Sequence, residues 1–136
     1  MNGRSDIRIL VIEDDEAFRR LAAQILQRAG YTVAVARDFD TGMQVIESTD
    51  RLDLLLSDIN LPAGTPHGLS IGRMAQSRRP DLKIIYMSGA YNLAEIDAVA
   101  EGAKMLSKPF FAKDLISAIE SSLSLLPVAS TSVSAA

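Results

Sequence analysis

Residues 9–16 read ILVIEDDE, an aliphatic run that passes directly into four carboxylates. At neutral pH Glu13, Asp14, Asp15 and Glu16 repel one another, a cost that only a proton, a cation or solvent relieves. A second apolar run, LDLLLSDI (52–59), closes on another carboxylate, Asp58. Two further runs end in polar groups. KIIYMSG (83–89) carries the hydroxyl of Ser88, and KMLS (104–107) is followed by Lys108 and Pro109. A carboxylate can attack phosphorus and form an acyl phosphate. Phosphoryl transfer asks mainly for positioning and charge neutralisation, which a metal, a hydroxyl and an ammonium supply. Oxygen-only donors favour a hard cation, and a few carboxylates with open positions suit Mg²⁺.

These groups are far apart in sequence, so the fold must bring them together. IRILVI (7–12) is nearly continuous and β-branched, as in a strand covered on both faces. Phe18, Leu21, Ala22, Ile25 and Leu26 recur at helical spacing, and Ala29-Gly30 supplies a stop. YTVAVA (31–36) predicts a second strand, and 39–48 a second helix with Met43, Val45 and Ile46 inward. The third strand is 52–59. LPAGTPHG (61–68) predicts a loop before a helix at about 69–78, where the apolar period is poor and Gly72 sits mid-helix. The fourth strand is 83–89. Leu93, Ile96, Val99 and Ala100 mark a fourth helix stopped at Gly102, and KMLS a fifth strand. Leu115, Ile119, Leu123 and Leu126 line a last helix. The tail PVASTSVSAA (127–136) is expected to be disordered.

Five strands alternating with five helices predict an α/β fold, a doubly wound parallel sheet with helices on both faces. The expected strand order is 2-1-3-4-5, which sets strands 1 and 3 side by side with a crevice at their carboxyl ends. Glu13, Asp14 and Asp58 then converge, and Ser88 and Lys108 come from the neighbouring strands. Asp15 and Glu16 are expected to turn outward in the first turn of helix 1, where the helix dipole favours acids.

Composition bounds the alternatives. The 136 residues are 48% apolar and 23% charged, the balance of a single globular domain with a real core. There is no cysteine, which excludes disulfides and thiolate metal sites and fits a reducing compartment. No apolar run approaches the ~18 residues of a membrane span. The start, MNGRSDIR, has no signal-peptide core. The net charge of −3, without a long basic cluster, argues against nucleic acid as a direct partner.

ILVIEDDE, LLLSDINLP, YMSGA and LSKPF, in that order and each at the end of its own strand, resemble the receiver domain of two-component response regulators. The resemblance covers about residues 7–126, and implies a flavodoxin-like (CheY-like) receiver domain over 1–126 with the tail beyond it. It implies Asp58 as phosphoacceptor, with Mg²⁺ held by Glu13, Asp14, Asp58 and the backbone carbonyl of Asn60. It implies Ser88 and Lys108 as contacts to the phosphoryl group, with Pro109 holding its peptide bond cis. The donor would be a phosphohistidine on a sensor histidine kinase or histidine phosphotransfer protein, in the cytoplasm. The protein would be a stand-alone switch, not a free-standing enzyme, acting on a downstream protein or passing phosphate onward. The expected readout face is formed by the fourth helix, strand 5 and the last helix. Met105 departs from the pattern, standing where most relatives carry Tyr or Phe, and the 59–68 loop is longer than usual.

Other readings fit less well. A haloacid dehalogenase type phosphatase would want a second Asp where Asn60 stands, and EDDE would repel the phosphate of a flavin. A docking module with vestigial phosphorylation would not need the complete acidic, Ser and Lys set. His67 and Tyr91 are read as surface loop residues, and Arg73, Arg78 and Arg79 as a solvated face.

Overall fold

The computed structural model describes residues 3–59, 68–89 and 102–125. Asn60, His67, Tyr91, the expected helix through Leu93–Ala100, Leu126 and the 127–136 tail lie outside the described residues.

Five strands form one sheet: β1 (Arg8–Ile12), β2 (Thr32–Ala36), β3 (Leu54–Asp58), β4 (Lys83–Ser88) and β5 (Lys104–Ser107). All pairings are parallel and the order is β2-β1-β3-β4-β5, as the sequence predicts. The helices are α1 (Glu16–Arg28), α2 (Phe39–Ser48), α3 (Gly68–Arg78) and α4 (Ala112–Ser122), the last being the C-terminal one. A short 3₁₀ turn, Gly3–Asp6, precedes β1 and had no signal in the sequence.

Alternation along the central strands sorts their side chains into two cores. Ile9 and Val11 of β1, with Leu54 and Leu56 of β3, pack toward α1 and α4. Leu10, Ile12 and Leu55 pack toward α2 and α3, with Met43, Ile46, Ile71 and Ala75. Both faces are covered, which is why β1 and β3 read as unbroken apolar runs. Fully burying each such Ile or Leu contributes about 1.5–3 kcal/mol.

Helix termini follow the local chemistry. Asp15 caps α1, its Oδ1 accepting the Phe18 N–H at 2.9 Å, and Asp38 caps α2 by accepting the Thr41 N–H at 2.9 Å. Gly30 follows α1 with φ 101°, a conformation that favours glycine. Two details differ from the sequence reading. Leu21 is 50% exposed, because Ala22 and Leu26 take the inner face of α1. Arg79 is not part of a solvated face: its Nε donates to the Ile46 carbonyl at 2.9 Å and its Nη2 to the Thr49 carbonyl, closing the end of α2.

Candidate functional site

The sheet order sets the carboxyl ends of β1 and β3 side by side, flanked by β4 and β5. Backbone hydrogen bonds continue past the strand ends and fix the groups that follow. Glu13 N–H donates to the Ala36 carbonyl at 3.1 Å, Ile59 N–H to the Met87 carbonyl at 2.9 Å, and Lys108 N–H to the Ser88 carbonyl at 2.8 Å. Glu13, Asp58, Ser88 and Lys108 are thus held by the sheet itself, not by loop packing. The Lys108–Pro109 peptide is cis.

Glu13 and Asp58 are 1% and 7% exposed, Ser88 is buried, and Asp14 lies open at the rim. Lys108 bridges the two buried acids, with Nζ 2.5 Å from Glu13 Oε1 and 3.1 Å from Asp58 Oδ2. The other oxygen of Glu13 accepts the Asp15 N–H at 3.0 Å. Arg19 donates to the Glu13 carbonyl at 2.8 Å and ties α1 to the end of β1. Asp15 and Glu16 turn outward as expected. Asp15 serves as cap, and Glu16 pairs with Arg20 at 2.7 Å on the exposed face.

The electrostatics follow from burial and pairing. Burial, aided by the charge of Asp58, raises the Glu13 pKa against the pull of Lys108 and the Asp15 N–H. For Lys108, burial works against the charge. The hydrogen bonds to Glu13 and Asp58 and their negative charge outweigh it, so the ammonium titrates above the ordinary lysine value.

The acidic set fits a divalent cation. Glu13, Asp14 and Asp58 each offer an oxygen, and these lie within 4.8 Å of one another. One ammonium leaves most of that charge uncompensated, and hard oxygen donors with an exposed rim are what Mg²⁺ takes. Asn60, expected to add its carbonyl, is outside the described residues. Among the described residues the structure therefore brings together Glu13, Asp14, Asp58, Ser88 and Lys108. It adds Phe18, Arg19 and Phe110, which the sequence reading did not place in the site. Phe18 was legible only as an apolar helix position, and Phe110 only as part of the LSKPF run.

Comparison with known proteins agrees with the fold. The family model for the response regulator receiver domain matches residues 9–120. The response regulator receiver protein CpdR of Brucella abortus is 39% identical, over 85% of this chain and 96% of that protein. Several other relatives are longer, and the chain spans 24% to 66% of their lengths. A CheY-like receiver domain protein from Methanospirillum hungatei superposes with a TM-score of 0.79 at 32% identity, over 87% of this chain and 94% of that one. A response regulator from Burkholderia pseudomallei, solved with a phosphorylated aspartic acid, calcium ion and citrate, gives 0.75 at 28%, over 88% and 69%. No helix among the described residues is long and apolar enough to cross a membrane.

Proposed function

The chain belongs to the response regulator receiver family of two-component signalling, and from that premise we propose that it is a phosphorylation switch whose acceptor is Asp58. The observation that carries the reading is the bridge from Lys108 to both Glu13 and Asp58 at the carboxyl ends of β1 and β3, with Asp14 beside them. The phosphorylated aspartic acid of the Burkholderia relative supports it.

The donor in this reading is a phosphohistidine on a sensor histidine kinase or histidine phosphotransfer protein. An Asp58 oxygen forms a bond to phosphorus while the phosphorus–nitrogen bond to the imidazole breaks, giving an acyl phosphate and a free histidine. Glu13, Asp14 and Asp58 would hold Mg²⁺. Bound there, the ion supplies neutralisation of charge on the transferring phosphoryl oxygens. Glu13 already serves Lys108 and the Asp15 N–H, which supports a lesser part for it in metal binding than for Asp14 at the rim. The Lys108 ammonium, just after β5, and the Ser88 hydroxyl, at the end of β4, meet the phosphoryl oxygens.

In this reading the protein is no free-standing enzyme; it assists only the making and loss of its own acyl phosphate. It acts in the cytoplasm, through a downstream protein or by onward transfer. The net charge of −3 supports a partner other than nucleic acid. The test is incubation with acetyl phosphate, read by intact mass: modification requires Mg²⁺, and undiminished modification in excess EDTA overturns the metal-dependent mechanism.

A further inference from the structure

Lys108 has a neighbour for which the phosphoryl-transfer reading has no use. Its Nζ lies 4.4 Å from the centroid of the Phe18 ring. Phe18 stands in the first turn of α1, where the Asp15 cap accepts its backbone N–H at 2.9 Å. Phe110, in the segment that follows Lys108, meets the same ring edge to face, with centroids 5.2 Å apart and planes at 66°. The ring is thus fixed from its own backbone and from the side. Lys108 is 17% exposed at its side chain, so little water competes for the ammonium, and a cation over an aromatic face gains most where it is desolvated.

The two carboxylate contacts of Lys108 cannot persist unchanged through the proposed reaction. Asp58 loses charge on its carboxyl when it becomes an acyl phosphate, and the acidic set must also meet a divalent cation. The ring's attraction for the ammonium does not depend on either event. We propose that Phe18, braced by Phe110, is a positioning residue that holds the Lys108 ammonium in the crevice while its anionic partners change. The proposal rests on the assignment of Asp58 as phosphoacceptor.

Phe18→Leu keeps an apolar side chain at the position and removes the aromatic face, whereas Phe18→Tyr retains the face. The direct readout is the chemical shift of the Lys108 Cε–Hε group, with neither metal nor phosphodonor present. The ring current moves it upfield in wild type and Phe18→Tyr, and that shift is lost in Phe18→Leu. The functional readout is the rate of phosphorylation by acetyl phosphate with Mg²⁺. Phe18→Leu slows it by about three- to thirty-fold, the range of a cation–π contact. Phe18→Tyr restores the rate, and Phe18→Leu has no further effect when Lys108→Ala is already present. Phe18→Met serves the same comparison if Leu at this position disturbs the amide spectrum of the sheet. A Lys108 shift that survives Phe18→Leu, or equal slowing with and without Lys108, overturns the inference. A wild-type protein that takes no phosphoryl group defeats the functional reading itself.

Discussion

Lys108 carries the most information of any single residue here, because three groups from different elements meet its ammonium: Glu13 after β1, Asp58 on β3 and Phe18 on α1. Two of those three partners were legible in the sequence. A buried strand that runs into carboxylates must place them at its end, and a parallel sheet of this order must gather such ends. Phe18 was not legible in the same way, since an aromatic at helical spacing is ordinarily core and its partners, Lys108 and Phe110, follow the last strand. Arg19 was equally silent, because an arginine's reach to a backbone carbonyl leaves no pattern. At this scale the account predicts that Lys108→Ala and Ser88→Ala each leave the fold intact and blunt the response to a phosphoryl mimic. Each group reaches the site from a different strand, so losing either removes one of the differential contacts that favour the active shape. Amide shifts along β5 on addition of beryllofluoride should be well below those of wild type in both variants. Shifts of wild-type size in both would remove these residues from the coupling.

The four described helices were placed from apolar spacing and stop signals, α3 in spite of a pattern poor in large apolar side chains. In α3 the poor period and the mid-helix Gly72 have one explanation. A Cβ on Gly72 would lie 1.9 Å from the Tyr86 hydroxyl and 3.0 Å from its Cζ, so a side chain here would have to displace the buried Tyr86 ring. The helix gives up about 1 kcal/mol of propensity for that approach. Gly72→Ala, favourable in an isolated helix, should therefore destabilise the protein by about 1–3 kcal/mol, the usual cost of overpacking. In a Tyr86→Phe background, which deletes the clashing oxygen, the cost should fall by more than half. Denaturant midpoints of the four proteins check this, and additive effects would contradict it. The same strand bears on Met105. Tyr86 is its register partner on β4, and both pack in the core under α2 and α3. A buried aromatic thus stands beside the position where an aromatic residue was expected from the resemblance and methionine is found.

For the whole molecule, the apolar runs and element order foretold helices on both faces of the sheet, but the packing of the N-terminus had no signal in the sequence. MNGRSDIR is polar and carries no pattern that points to a partner, yet Arg4 is buried, donates to the Tyr31 hydroxyl at 2.6 Å and pairs with Glu120 of α4 at 3.5 Å. These contacts tie the first turn, the start of β2 and the C-terminal helix together at the end of the sheet remote from Asp58. Burial raises the Tyr31 pKa above its ordinary 10.0, with Glu120 adding to the rise and Arg4 opposing it. A raised phenol pKa means that stability is fully present below pH 10.0 and lost as pH climbs through the folded value. The stability advantage of wild type over Tyr31→Phe should shrink across that alkaline window, and a gap that stays constant in denaturant melts would contradict the assignment. The central claim is that one carboxylate, Asp58, accepts the phosphoryl group. Its most direct test is intact mass after acetyl phosphate and Mg²⁺, for wild type and Asp58→Asn side by side. Wild type should gain the mass of a single phosphoryl group and Asp58→Asn none; equal modification of the two would contradict the account.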